Sequence, residues 1–335
     1  MLSRRRAVRA PAWTLTYSGV NITADISAMV LSVTYVDHLG GYSGESQVEL
    51  DDTDGLWRGK WYPAQGDLVD LAIGYADGDL LLCGSFQVDE LEASGAPDKM
   101  SLRCLAAFIT PAMRTVNTRG YESQSILAIA GAIAAKYQLT LVGAPSNLGA
   151  VYARVTQCQE TDLGFLHRLA REHNYDFTVR GTQMVFYARA ALEGAPPVIT
   201  IGRSGSPLTR WQFKSRTRQI YRAAQVNYQD PATKALISQT ATAISPTGDT
   251  LKLARRVENG QQASIRAAAA LHEANRLYVT GSLTLEGEPV YVAGNNVALA
   301  GFGAFDGTYL IETARHHLTR EEGYIVDLDV RSVSR

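Results

Sequence analysis

The chain has 335 residues, 46% hydrophobic and 19% charged, and its 32 Lys+Arg against 33 Asp+Glu leave a net charge of -1. That length exceeds what one hydrophobic core usually supports, so roughly two to four subdomains are expected. The charge balance excludes a global electrostatic footprint for nucleic acid, and no apolar run approaches the roughly 20 residues that cross a bilayer, so no membrane insertion is expected.

The basic start, Arg4-Arg5-Arg6 with Arg9, leads into Pro11 and a strand instead of a signal-peptide core. Synthesis and assembly in cytoplasm are therefore expected, with the arginines read as a solvated tail. From Trp13 to about Phe108 short period-two runs are cut by Gly and Asp turns: Trp13 to Tyr17, then Leu31, Val33 and Tyr35, then Val48 and Leu50, then Val69 to Tyr75, Leu80 to Glu92 and Met100 to Phe108. Closely spaced strands of this kind predict a small barrel or sandwich. The acids of Glu49-Leu50-Asp51-Asp52-Thr53-Asp54-Gly55 lack the bidentate Glu of a calcium loop and read as a solvated turn. Trp57, Trp61 and Tyr62 form an aromatic cluster expected to serve core packing or an interface, with glycan binding as the rival use. Cys83 and Cys104 fall in strands as small hydrophobes, and with Cys158 they make no CxxC pair and have no His at ligand spacing, so no metal, disulfide or cofactor is expected.

The period changes near Pro111. Ser123 or Ser125 is positioned to cap a helix carrying Ile126, Ile129, Ala130, Ile133 and Tyr137, which ends before Pro145-Ser146-Asn147. A strand from Val155 leads through the capping Thr161 into a helix with Leu166, Leu169 and Ala170 on one face, and Asp162 lies in its first turn, where the helix dipole favours an acid. A hairpin follows, Tyr175 to Val179, Arg180-Gly181-Thr182, Met184 to Tyr187. Pro196-Pro197 marks a boundary. Beyond it Ile220 to Tyr228, Ala235 to Ala243, Tyr278 to Leu285, Val297 to Ala300, Thr308 to His316 and Tyr324 to Arg331 read as strands, interrupted by a helix from about Gln261 to Leu277.

Two stretches about 230 residues apart echo each other. Gly66-Asp67-x-Val69-x-Leu71 is matched by Gly294-Asn295-x-Val297-x-Leu299, and Gly84-x-Phe86-x-Val88-Asp89 by Gly307-x-Tyr309-x-Ile311-Glu312, each followed by another strand-like run. A duplicated unit constrains architecture more than any single residue does. The expected fold is α+β, predominantly β: two similar barrel-like domains, 1–112 and 196–335, separated by a small α+β insert, 113–195.

The chain resembles the late control gene D family of tailed-phage baseplate hub proteins, related to the N-terminal part of VgrG spikes. The resemblance is carried by Leu15-x-x-x-Gly19-x-x-Ile22-Thr23, by Gly84-Ser85-Phe86-Gln87-Val88-Asp89-Glu90, by Gly307-x-Tyr309 with His317 and Gly323-Tyr324, and by Gln159-Glu160-Thr161-Asp162-x-x-Phe165-Leu166-x-Arg168-Leu169-Ala170. It implies a homotrimer whose two tube domains per chain form a pseudo-sixfold ring in the virion tail baseplate. Such a ring would join a hexameric tail tube protein to a trimeric spike protein among other baseplate proteins. The tape-measure protein, and later DNA without specific binding, would pass through the lumen. Because the chain stops at Arg335, a separate spike protein is expected.

No catalytic, cofactor-binding or metal site is expected, and the protein is read as no enzyme. Glu160 and Asp162 with His167 and His173 could suggest an acid/base cluster, but the histidines are not at the i,i+4 spacing that would align them on a helix. His316 and His317 are neighbours in a strand and point to opposite faces. No Gly-x-Ser-x-Gly elbow or phosphate loop occurs. The alternative is a tail-associated peptidoglycan hydrolase using Glu160 as acid.

Overall fold

The computed structural model describes residues 9–40, 44–107, 111–143, 146–204, 207–216, 220–229, 234–243, 248–254 and 257–333. Arg4 to Arg6, Phe108 and Pro145 lie outside them. The first third comprises β1 (Pro11–Tyr17), β2 (Val20–Asn21), α1 (Thr23–Ile26), β3 (Val30–His38), β4 (Glu45–Asp51), β5 (Leu68–Tyr75), β6 (Leu80–Ser94) and β7 (Lys99–Ala106). The middle holds β8 (Val116–Ser125), α2 (Ile126–Lys136), β9 (Thr140–Val142), β10 (Val151–Thr161), α3 (Asp162–Glu172), β11 (Tyr175–Arg180), β12 (Gln183–Ala188) and α4 (Arg189–Gly194). The last third comprises β13 (Ile199–Gly202), β14 (Leu208–Ser215), β15 (Tyr221–Gln229), β16 (Leu236–Thr242), β17 (Asp249–Leu253), α5 (Gly260–Asn275), β18 (Val279–Glu286), β19 (Asn296–Ala300), β20 (Gly307–Thr319) and β21 (Gly323–Ser332).

The echo in the sequence is an echo in strand pairing. The spatial order β3-β4-β7-β6-β5 is repeated as β14-β18-β21-β20-β19. Val33 faces Val48 as Trp211 faces Leu283, Leu102 faces Val48 as Leu328 faces Leu283, and Phe86 faces Val69 as Tyr309 faces Val297. Two bulges also recur: Val30/Ser32 matches Leu208/Arg210, and Val88/Glu90 matches Ile311/Thr313. Because a one-residue slip would turn every side chain to the other face, shared register means a shared core face. The rings that meet across it repeat too, with Tyr35 and Phe86 centroids 6.0 Å apart and Phe213 and Tyr309 5.8 Å apart.

Glycine explains why the echo shows at Gly66 and Gly294. Both have positive φ, +91° and +96°, a conformation that costs a residue with a Cβ. Each turns the chain so that its N–H bonds a carbonyl of the bulged strand, Val88 O at 2.8 Å and Ile311 O at 2.9 Å.

The two similar β units expected from the sequence are present, and they are joined in one sheet. Thirteen strands form one sheet, an open path from β14 to β2 with β19 and β13 branching from β20, and among the described residues no ladder closes either unit. The reason is the length of β20, whose first part pairs with β19 and whose second part pairs with β3. One hydrophobic core accordingly spans both units, from Leu15 to Val330. The copies also diverge. β1 runs antiparallel to β5 while β13 runs parallel to β19, and β15 to β17 with α5 are inserted between β14 and β18, around a small core of Val226, Val257, Ala263 and Ala267. The middle segment packs its own core from Met113 to Phe186.

Gly66→Ala is expected to cost about 1 kcal/mol through its backbone conformation alone, since a Cβ there meets nothing within 4 Å, whereas Gly294→Ala, whose Cβ would sit 3.3 Å from Leu39, should cost more. Urea denaturation of the two variants checks both the cost and its order.

Candidate assembly interface

The two copies meet edge to edge along β20 and β3, from Thr313 opposite His38 to Thr319 opposite Ser32. Alternation sends Ala314, His316 and Leu318 into the core and leaves Thr313, Arg315 and His317 on the other face. There His317 Nδ1 lies 2.8 Å from Thr34 Oγ1 and His38 Nδ1 3.3 Å from Thr313 Oγ1. The sequence expectation that His316 and His317 diverge holds.

His316 is fully buried, stacked on Tyr35 with centroids 5.8 Å apart. Its Nε2 is 2.8 Å from the Tyr291 carbonyl, which only accepts, so Nε2 carries the proton and Nδ1 accepts from the Tyr324 hydroxyl at 2.7 Å. Both ring nitrogens are satisfied in the neutral form, and burial pushes the pKa down to about 4.

Buried ion pairs fasten the middle segment to this joint. Arg331 of β21, with no exposed surface, pairs with Glu193 of α4 at 2.7 Å and Glu312 of β20 at 3.0 Å. Glu193 also lies 2.8 Å from His272 of α5. Arg189, 1% exposed, joins Asp176 at 2.9 Å to Glu273 of α5 at 2.7 Å. Asp37 of β3 accepts from Arg180 at 3.1 Å and from the Ala293 N–H at 2.9 Å. Desolvation raises the pKa of this carboxyl.

The family-like run around α3 is structural in its contacts. Thr161 caps the helix by accepting from Gly164 N–H at 3.0 Å. Glu160 receives Arg168 through two nitrogens at 2.8 and 3.1 Å, and Arg168 also reaches Glu172. Asp162 is buried and accepts from Lys136 at 2.8 Å, Tyr137 at 2.7 Å and Gln157 at 2.8 Å. Burial alone would raise its pKa, but these donors outweigh it and hold the carboxyl below its usual range. His173 is buried against Tyr152 and the Leu169 carbonyl, and His167 is a separate, partly buried group. The structure does not bring the four residues together as one acid/base cluster.

Other expectations change. Arg9 is not a solvated arginine: it lies 3.6 Å over the Tyr75 ring and 2.6 Å from Glu288. Asp52 is buried, not a solvated turn residue, and accepts from Trp57 N–H at 2.8 Å and Arg58 at 2.7 Å. Trp57 packs in the main core, with Trp61 against its edge and Tyr62 exposed. Cys104 is buried, Cys83 half-buried and Cys158 exposed. Ser125, not Ser123, caps α2. Sequence reading missed β2, β8, β9, β13, β14 and β17. In β14 the bulge at Leu208/Arg210 breaks the alternation that Trp211 and Phe213 otherwise signal. Among the described residues no helix is long and apolar enough to cross a membrane.

Two copies of one five-strand unit, fused edge to edge and locked to an α+β insert, define a duplicated sheet protein of the tail-protein fold. The tail protein of a Shewanella oneidensis prophage has this fold, with a TM-score of 0.72 at 13% identity over 97% of this chain and 99% of that one. An Escherichia coli component of the type VI secretion system gives 0.56 at 12% identity over 90% and 73%. In sequence, the chain is 31% identical to a probable baseplate hub protein of Escherichia phage 186 over 63% of its length, and 30% identical to that of phage P2 over 52%. It covers 54% and 45% of those two proteins. The profile of the phage tail baseplate hub (GPD) family matches residues 65–322, and the chain belongs to that family.

Arg331→Met should destabilise by about 3 to 5 kcal/mol, because Glu193 and Glu312 would lose a buried partner; chemical denaturation measures it. His316 adds a pH dependence. Its folded pKa of about 4 lies below the ordinary 6.5, so the unfolded chain binds more protons and stability falls as pH drops from about 6.5 to about 4, by at most about 3 kcal/mol. His316→Gln should flatten the denaturation free energy over that window relative to the unsubstituted protein.

Proposed function

We propose that this chain is the structural hub of a phage tail baseplate, a homotrimer in which two units per chain make a pseudo-sixfold ring. The ring adapts a hexameric tail tube to a trimeric spike, and its lumen passes the tape-measure protein and then DNA. The division 1–112, 113–195 and 196–335 then separates two ring-forming units from the insert between them.

The observation that carries this reading is the common register and common bulges of the two five-strand units. Three chains with one unit each would leave half the positions of a hexameric tube unmatched, whereas three duplicated chains offer six near-equivalent ones. Family membership supports the baseplate location. The near-neutral net charge suits a wall past which DNA slides, since each cationic phosphate contact adds counterion-release affinity. Glu160, engaged by Arg168, serves the fold of the insert in this reading and performs no hydrolysis.

Native mass measurement should give three chains, and images down the axis should show six similar lobes. A chain that stays monomeric at high concentration and with the tube and spike proteins present would overturn the proposal.

A further inference from the structure

We infer that the β20–β3 joint inside each chain is repeated between chains, with the Glu90–Ser94 edge of β6 in one copy pairing antiparallel with residues 212–216, at the end of β14, in the next. The inference rests on the ring-shaped trimer proposed above only for the number of seams. The pairing itself comes from the internal repeat.

Register equivalence makes β20 the counterpart of β6 and β3 the counterpart of β14. Tyr309 corresponds to Phe86 and Ile311 to Val88, while Val33 corresponds to Trp211 and Tyr35 to Phe213. The observed pair Thr313–His38 then becomes Glu90–Arg216, Arg315–Val36 becomes Glu92–Lys214, and His317–Thr34 becomes Ser94–Gln212. Two acids thus fall opposite two bases, on one face, with no adjustment of register. Opposite charges directly across a ladder stabilise it and like charges oppose it.

Both edges are open where the seam needs them. β5 stops pairing with β6 at Gln87, and the turn bonds of Gly66 and Asp67 end at Val88, so beyond the Gln65 contact at Asp89 that side of β6 is unpaired among the described residues. Among the described residues β14 pairs only with β18, and it ends the sheet path. Glu90, Glu92, Ala93 and Ser94 are exposed, as are Gln212, Lys214 and Arg216. Trp211 is 43% exposed. Glu90 lies 3.7 Å from Arg103; Glu92, Lys214 and Arg216 make no ion pair among the described residues. Unpaired strand edges of this kind template further pairing. Within one chain the two edges are not paired with each other among the described residues: β14 ends the sheet path, and β6 lies across the internal joint from it. A second copy is the occupant whose geometry the chain itself already displays.

The test places a cysteine pair across the seam, Glu92→Cys with Lys214→Cys, in the full chain carrying Cys158→Ser. Mild oxidation should give covalent multimers up to a closed ring on a non-reducing gel. Leu91→Cys with Lys214→Cys, on opposite sheet faces, should give few. Separately, Glu92→Lys should weaken self-association about three- to tenfold by native mass titration, and Lys214→Glu added to it should restore association. Trimers that form yet neither cross-link at this pair nor respond to Glu92→Lys would overturn the seam and leave the trimeric hub standing. Absence of any assembly, with tube and spike proteins supplied, would overturn both.

Discussion

The ladder between β20 and β3 is the constraint on which the rest of the structure depends. It joins residues near the two ends of the chain, Ser32 to Thr319 and His38 to Thr313, and so fuses two copies of one unit into a single sheet over a single core. Pairing at that sequence separation carries a large loop-closure entropy, offset here by the burial of Ala314, His316 and Leu318 beside it. His316 shows how closely the joint is specified. A neutral ring with one donor and one acceptor nitrogen satisfies one carbonyl and one hydroxyl at once, the other neutral tautomer would leave the Tyr291 carbonyl without a donor, and burial disfavours the charged ring.

The insert is held to the rest of the chain by ion pairs and by the apolar contact of Leu192 with Leu39, Ala293 and Leu310. Its own core runs from Met113 to Phe186, and among its outward ion pairs are Glu193 to Arg331 and Arg180 to Asp37, which reach the sheet, and Arg189 to Glu273, which reaches α5. Buried pairs add little net stability over a well-packed apolar substitute, but losing one partner is costly. They therefore suit positioning: the links fix the placement of the insert relative to β3, β20, β21 and α5. The family-like run from Gln159 to Ala170 belongs to this positioning system, since Glu160 and Asp162 lock β10 to α3 and α2.

Much of this was legible in the chain. Alternation in β5 and β6 and the glycines at 66, 84, 294 and 307 announced the repeat, because a positive φ next to a bulged strand leaves few residue choices. Helical periodicity and caps located α2 and α3, with Ser125 and Thr161 accepting as expected. The strand β14 was not legible, since its bulge interrupts the period and its face is mostly exposed. Nor was the burial of Asp52, whose neighbours in sequence are solvated but whose carboxyl turns inward to Trp57 and Arg58.

Local pattern by itself determined where most of the strands lie, that one unit occurs twice, and that a segment of mixed helix and strand lies between the copies in sequence, because alternation, glycine turns and capping act over a few residues. Only the tertiary structure decided that the copies share one sheet instead of closing separately. That choice depends on which partner the second half of β20 meets, and backbone hydrogen bonds carry no signature of their partner in sequence. The same holds for the pairing of Arg331 with Glu193 and Glu312: the charges are written in the chain, but their convergence is a property of the fold.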